Sequence, residues 1–203
     1  MKKLIMIVTM LALCISMVCP AFAAESGFVP SITYKGVPEV VTVKDAPDEA
    51  GVQVVATVRG EEGEALGYLT ASEVNITTIA SIENDETISE ESKEALLKAY
   101  EDLSTGAQTL PYDQVEGIDP EKMVVRELMY VSWTQDNDAS EEQEEGTVME
   151  FTFDLGLEPD AVVVVMAYVD GEWVVVEDVV VNEDGTVTIG LAQMGLVAIC
   201  VET

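Results

Sequence analysis

The sequence contains no histidine among its 203 residues. Without histidine the chain cannot build a Ser-His-Asp or Cys-His catalytic site or a histidine-based zinc site, and it lacks the usual general base near neutral pH. It also has no Walker A loop and no dinucleotide-binding G-x-G-x-x-G motif. These absences leave carboxylates as the main candidate catalytic groups and favour a non-enzymatic role.

Basic residues are scarce as well. Nine lysines and arginines face 39 aspartates and glutamates, which gives a formal net charge of −30. Such a surface repels a phosphate backbone and an anionic membrane, so neither nucleic acid nor a membrane surface is expected as a partner. Cations and basic proteins are the partners that this charge attracts, although high charge also serves solubility alone.

The N-terminus has the pattern of a secretory signal peptide. Lys2 and Lys3 precede an apolar run from Leu4 to Val18, and Ala21-Phe22-Ala23 forms an A-x-A cleavage site. This order predicts a signal peptide over residues 1–23 and a secreted, extracellular protein. The segment contains two basic residues and no acidic one, so cleavage would leave seven basic against 39 acidic residues and a charge of −32.

The remaining chain is predicted to have no transmembrane span and no intramolecular disulfide. Its longest uncharged run, Gly185 to Val201, contains three glycines and several polar residues, which is typical of two β-strands. Cys14 and Cys19 lie in the predicted signal peptide, so Cys200 is the only cysteine left. Its apolar context, LVAICVE, predicts a buried and unreactive thiol, with pairing between chains as the alternative.

Residues 24–117 are predicted to form a small α+β unit around one main helix. Short β-rich runs such as VQVVATV and LGYLT precede a change to helical periodicity. Ser89 is a suitable N-cap and Gly106 a suitable stop for a helix over residues 90–104. The buried face of this helix is predicted to consist of Leu96, Leu97, Tyr100 and Leu103.

Residues 118–203 are predicted to form an all-β sandwich of immunoglobulin-like type, because six short strands alternate with turn signals. In MVVRELMYVSW the alternation predicts one shared face, formed by Met123, Val125, Met129, Val131 and Trp133. In TVMEFTFDL it places Met149, Phe151, Phe153 and Leu155 inward, and Glu150, Thr152 and Asp154 outward.

A hairpin within this half supplies the candidate interaction surface. Asp170-Gly171 lies between two β-rich runs and predicts a type I′ turn, which fixes the register of the strands. Tyr168 is then opposite Trp173, and Met166 is opposite Val175. Both faces of this hairpin are apolar, so each needs a cover. The opposing sheet is expected to cover one face. Either the N-terminal half of the chain or a partner chain covers the other. The N-terminal half is the preferred cover, and oligomerisation is the alternative.

The acidic stretch over residues 135–146 is the candidate metal site. Asp136, Asp138 and Ser140 match positions one, three and five of an EF-hand calcium loop. Glu141 and Thr147 then stand where glycine and the bidentate glutamate are needed, so the match fails. The stretch is predicted to be a flexible acidic loop between two strands, and no metal or cofactor residue is assigned.

The N-terminal signal, GVPEVV, the helix EESKEALLKAYEDL and the segments YVDGEWVVVEDVVVNEDGTVTI and GLVAICV resemble secreted proteins of unassigned function from anaerobic Gram-positive gut bacteria. The resemblance implies an extracellular location and transfers no active residues. The expected function is a secreted or cell-surface binding module with a protein or cell-surface partner. The alternatives are a carboxylate-dependent glycan hydrolase and a calcium-stabilised adhesion-type domain.

Overall fold

The computed structural model describes residues 38–44, 46, 52–79, 81–82, 85–86, 88–134 and 146–203. Within these residues it contains eleven β-strands and one α-helix, α1 (Glu90–Thr105). The strands are β1 (Glu39–Val40), β2 (Val54–Arg59), β3 (Ala65–Thr70), β4 (Val74–Thr78), β5 (Met123–Trp133), β6 (Val148–Asp154), β7 (Val163–Val169), β8 (Glu172–Val175), β9 (Val179–Val181), β10 (Thr186–Leu191) and β11 (Gly195–Glu202).

The strands form two antiparallel sheets that pack face to face. A six-stranded sheet has the order β3-β2-β6-β10-β9, with β1 paired to the far end of β6, and a five-stranded sheet has the order β4-β5-β11-β7-β8. A first core of apolar side chains from both sheets lies between them. A β-sandwich is therefore confirmed, although it includes strands β1 to β4 in addition to the predicted residues 118–203, and its immunoglobulin-like type stays a prediction.

Strand β6 shows why the alternating pattern was informative. Met149, Phe151 and Phe153 belong to the first core, as predicted, and Glu150 and Thr152 alternate with them. The Phe151 ring lies between Phe153, with centroids 6.2 Å apart, and Trp133, at 5.9 Å. The period of two thus separates an apolar inner face of this sheet from a polar outer face.

The helix begins and ends where the sequence predicts. The Ser89 hydroxyl accepts a hydrogen bond from the Ser92 N–H at 3.1 Å, and Gly106 ends the helix with φ of 71°. One predicted core residue is wrong, because Leu97 is 47 % exposed while Ala99 is buried. Successive residues of a helix are 100° apart around its axis, so Leu97 lies outside the stripe of Leu96, Ala99 and Leu103 that packs on the sheet.

Helix α1 covers the outer face of the five-stranded sheet and makes a third layer. Its buried residues Leu96, Ala99 and Leu103 belong to a second core. The sheet contributes Val125, Leu128, Val164, Met166, Ala198 and Cys200 to that core. This confirms the preferred prediction that an N-terminal segment of the same chain covers the second apolar face of the hairpin.

Strand β5 serves both cores, which contradicts its predicted single face. Met129, Val131 and Trp133 lie in the first core, but Met123 and Val125 lie in the second. The pairing with β11 shifts register between Ile199 and Cys200, whose partners are Glu127 and Val125. The extra residue, Arg126, makes a β-bulge, so the β5 residues before it point to the opposite face of the sheet from the one that the alternation predicts.

Strands from both sides of the predicted boundary at residues 117/118 are paired. Strand β2 pairs with β6 in one sheet, and β4 pairs with β5 in the other. A separate α+β unit over residues 24–117 is therefore not confirmed by the pairing, and the division into domains stays a prediction.

Two predicted segments lie wholly or mostly outside the described residues. These are the signal peptide over residues 1–23 and the acidic loop over residues 135–146, of which only Gly146 is described. Among the described residues, α1 is too short and too polar to span a membrane.

Candidate functional site

The predicted hairpin ladder forms with the predicted register. Tyr168 pairs with Trp173, and Met166 pairs with Val175. Asp170 and Gly171 have φ of 52° and 94°, as a type I′ turn requires. The side chains, however, belong to the second core: Met166 is 0 % exposed and Trp173 is 6 % exposed. As an interaction surface the ladder stays a prediction, and in this conformation helix α1 and the segment after it cover the ladder.

Gln108, just after the helix, fastens this cover to the ladder. Its side-chain oxygen accepts a hydrogen bond from the indole N–H of Trp173 at 3.2 Å. Its amide nitrogen donates to the hydroxyl of Tyr168 at 3.4 Å. The polar atoms of Tyr168 and Trp173 therefore already have hydrogen-bond partners within the chain, as buried polar groups usually do.

A polar groove of about 650 Å³ lies on the outer face of the six-stranded sheet. The sheet lines it with Thr57, Arg59, Tyr68, Glu150, Thr152 and Thr188. Two connecting segments, residues 41–44 and 182–184, complete the lining. The strand residues alternate with side chains of the first core, so the inner face builds the sandwich while the outer face presents polar groups to solvent.

Strand pairing aligns these side chains in rows. Tyr68 lies opposite Thr57, and Thr57 lies opposite Glu150, which makes a row across β3, β2 and β6. In the next row Thr152 lies opposite Thr188. Directly opposed residues point to the same face, so the groove follows from the register of a rigid sheet.

Hydrogen bonds between side chains hold one end of the groove in place. The hydroxyls of Thr152 and Thr188 lie 2.9 Å apart. The Asn182 amide donates to Thr188 at 3.0 Å and to Thr186 at 2.9 Å. Thr186 in turn donates to the carboxylate of Asp184 at 2.7 Å. This chain of bonds fixes the rotamers of the Asn182–Gly185 turn against the sheet.

Charged side chains of both signs line the groove, two of them basic (Lys44 and Arg59) and three acidic (Glu150, Glu183 and Asp184). The Arg59 guanidinium donates to Glu150 at 2.9 Å, and this hydrogen bond is the main reason why the pKa of Arg59 is raised. Asp178 adds a smaller attraction to Arg59, and Lys44 acts similarly on Asp184. Two basic side chains thus line one groove in a chain with few of them.

Asp184 is the groove carboxyl with a shifted pKa. Hydrogen bonds from the hydroxyl and the backbone N–H of Thr186 lower the pKa of Asp184, because they stabilise the ionised form. A general acid needs the opposite shift, so Asp184 is suited to positioning the turn and not to donating a proton.

The other predicted chemistries find little support among the described residues. Within them, no three acidic or cysteine side chains gather closely enough to hold a metal ion. Trp133 and Trp173 are both buried in the cores, so neither exposes a ring on which a sugar could stack. Cys200 is buried, as predicted, and burial raises its pKa to about 12.

A second cavity of about 440 Å³ lies beside the β-bulge and is lined by Val124, Arg126, Leu157, Ala161 and Val201. The Arg126 guanidinium donates to the carbonyl oxygen of Leu155. Its Nε atom is buried without a hydrogen-bond partner.

Comparisons of the chain with protein-family models, with curated proteins and with solved structures gave no match. The sequence did not predict the groove, because its residues come from five separate stretches of the chain: 41–44, 57–59, 65–68, 150–152 and 182–188. The sequence did predict that Glu150 and Thr152 lie on a polar face of β6. It did not predict which strands and turns lie beside that face.

Proposed function

We propose that the protein is a secreted, non-enzymatic binding module, built on an immunoglobulin-like sandwich, and that it binds its ligand in the groove on the six-stranded sheet. One observation carries this proposal: the groove side chains are already held by the network of Thr152, Thr188, Asn182 and Thr186. A site fixed before binding loses little conformational entropy when the ligand arrives.

The groove also suits this role better than the hydrophobic ladder. A partner that bound Met166 and Trp173 would first have to displace helix α1 and break the two Gln108 hydrogen bonds. A ligand in the groove needs no such rearrangement. The groove is open to solvent, and its polar groups stand on paired strands.

The two alternatives make different demands on the same acidic groups. A glycan hydrolase needs a carboxyl with a raised pKa beside an ionised one, and the pKa of Asp184 is lowered instead.

A calcium-stabilised domain needs six to eight oxygen ligands. Comparing melting temperatures with a chelator and with millimolar calcium tests that alternative, because a stabilising site would separate the two.

The test of the proposal is retention of the purified protein on immobilised extracellular polymers: polysaccharides, peptidoglycan, mucin and matrix proteins. The variant Thr152→Val/Thr188→Val removes both hydroxyls of a bonded pair while keeping the side-chain shape. The Asn182 amide loses its bond to Thr188 and keeps its bond to Thr186, so we expect a modest loss of stability, and a melting curve checks that the variant is folded. We expect at least one polymer to retain the protein and to bind the variant at least tenfold more weakly.

The matched control is Thr105→Val, which removes an exposed hydroxyl at the end of helix α1, far along the chain from the groove strands. It should bind as the unaltered protein does. Retention by none of the polymers, or equal retention of the groove variant and the control, would show that the groove is not a binding site.

A further inference from the structure

We infer that the ligand of the groove is an uncharged carbohydrate; this inference rests on the proposed function and specifies the ligand class. Three features of the groove carry it: the presence of charged side chains of both signs, its hydroxyl and amide groups, and the ring of Tyr68 among them. Each feature is common, but together they select against other ligand classes.

Charge argues for a neutral ligand. The whole chain, at −30, repels anions such as phosphorylated or sulfated molecules. Within the groove, Arg59 and Lys44 oppose the binding of a cation, while Glu150, Glu183 and Asp184 oppose the binding of an anion, and Arg59 is already paired with Glu150. A charged ligand would have to compete with the Arg59–Glu150 pair or lie beside a side chain of its own sign, whereas a neutral polar ligand would not.

The hydrogen-bonding groups match sugar hydroxyls. A threonine hydroxyl, like a sugar hydroxyl, has one donor and two acceptor sites. After their shared bond and the bond from Asn182 to Thr188, two acceptor sites and one O–H donor of Thr152 and Thr188 remain. Arg59 has five N–H donors, and its observed partners are Glu150 and the carbonyl of Gly63. A polyol can therefore pair with these groups without leaving a buried donor unsatisfied.

Tyr68 supplies the aromatic contact. It points to the outer face, opposite Thr57, and is half-buried, so part of its surface is open to the groove. The C–H face of a sugar ring packs well on an aromatic ring, because one side of the sugar is apolar while its edges carry hydroxyls. Tyr68 would thus contact the apolar C–H face of a sugar ring, while the threonine hydroxyls would contact the hydroxyl groups at its edges.

An extended peptide is the main competing ligand, and the position of the groove argues against it. Peptides that add a strand to a sheet need an edge with unpaired backbone groups. The groove lies on the face of β2, β6 and β10, each of which is paired on both sides. Their backbone groups are already used, so only side chains are offered to the ligand.

The experiment measures binding to soluble neutral polysaccharides (xyloglucan, arabinoxylan, galactomannan and starch) by calorimetry at 50 and 500 mM NaCl. Polygalacturonate, hyaluronan and unstructured peptides of either charge serve as comparison ligands. We expect at least one neutral polysaccharide to bind, with affinities at the two salt concentrations that agree within twofold, because screening acts only between charges.

Two variants link binding to the groove. Tyr68→Ala should weaken binding about tenfold or more, in line with the value of an aromatic contact, whereas Tyr68→Phe should keep most of it. The groove variant Thr152→Val/Thr188→Val should also weaken it. Melting curves of the three variants show whether each is folded.

The outcomes separate this inference from the proposed function. If an acidic polysaccharide or a peptide binds and the groove variant loses it, the groove is a binding site but the carbohydrate inference is wrong. If a neutral polysaccharide binds equally well to the unaltered protein and to folded groove variants, both proposals are wrong. Binding of neutral polysaccharides that falls steeply with salt would also contradict the inference.

Discussion

Tyr168 and Trp173 lie directly opposite each other on β7 and β8, with ring centroids 5.2 Å apart and ring planes at 57°. Gln108 hydrogen-bonds to the polar atom of each ring. The aromatic pair is therefore an anchor point for the segment that follows helix α1. Its polar atoms are used to close the second core.

Replacing Gln108 by leucine should destabilise the protein. Gln108→Leu leaves the indole N–H of buried Trp173 without its acceptor, and an unsatisfied buried donor costs about 1–3 kcal/mol. Urea denaturation measures the free energy of unfolding. The fluorescence of Trp173 should change as well, because the surroundings of its indole change.

The matched control is Gln114→Leu, since Gln114 is exposed in the short 3-10 turn at Tyr112–Gln114. This variant should lie within about 0.5 kcal/mol of the unaltered protein. An equal loss in both variants would mean that the Gln108 hydrogen bonds add nothing to stability.

Alanine should be far worse at Gly185 than at Gly171. Both glycines have positive φ, 80° and 94°, which costs a residue with a Cβ about 1–2 kcal/mol. At Gly171 the added Cβ meets no atom within 4 Å, whereas at Gly185 it would overlap the backbone carbonyl of Leu157. We therefore expect a loss of about 1–2 kcal/mol for Gly171→Ala and about 3 kcal/mol or more for Gly185→Ala.

Thermal or urea unfolding of the two variants, measured side by side, checks this prediction. Because Gly185 ends the turn that brings Asn182 and Asp184 to the groove, Gly185→Ala should also weaken ligand binding. Similar stabilities for the two variants would show that the Leu157 segment can move away at little cost.

Stability at alkaline pH should depend on Cys200. Burial raises the pKa of its thiol from 9.0 to about 12, with a partial offset from the neighbouring Tyr112 hydroxyl. Between these two values the unfolded chain loses this proton while the folded chain keeps it, so stability falls as pH rises from about 9 towards 12. Below pH 9 both states hold the proton, and the thiol contributes no pH dependence.

Comparing pH dependences isolates this group from the lysines and tyrosines that titrate in the same range. Cys200→Ala should show a shallower loss of stability between pH 9 and 12 than the unaltered protein does, whatever its stability at pH 7. Parallel curves would contradict the prediction. A thiol reagent should also modify Cys200 only as fast as the protein unfolds, because the side chain has no exposed surface.

Local signals predicted much of this fold because the relevant contacts are local. The Ser89 cap, the Gly106 stop and the Asp170-Gly171 turn each act within a few residues, and each is found where predicted. The alternation in β6 likewise depends only on the period of a strand. Burial of Cys200 followed from its apolar neighbours.

The remaining features depend on partners distant in sequence. Nothing near Arg126 signals a bulge, because the register shift is defined against β11. Leu97 and Ala99 differ in burial because a sheet, and not another helix, faces them. Arg59 and Glu150, which meet in the groove, are 91 residues apart, and no local pattern could pair them.

The pairing of β2 with β6 and of β4 with β5 also determines when the molecule can form during synthesis. The N-terminal strands have no complete partner until residues beyond 123 have been made. Native contacts between residues far apart in the sequence slow folding, and apolar strands that are not yet paired are prone to aggregation. A large negative charge keeps unfinished chains apart by mutual repulsion, so the acidity of this protein has a use before the fold is complete.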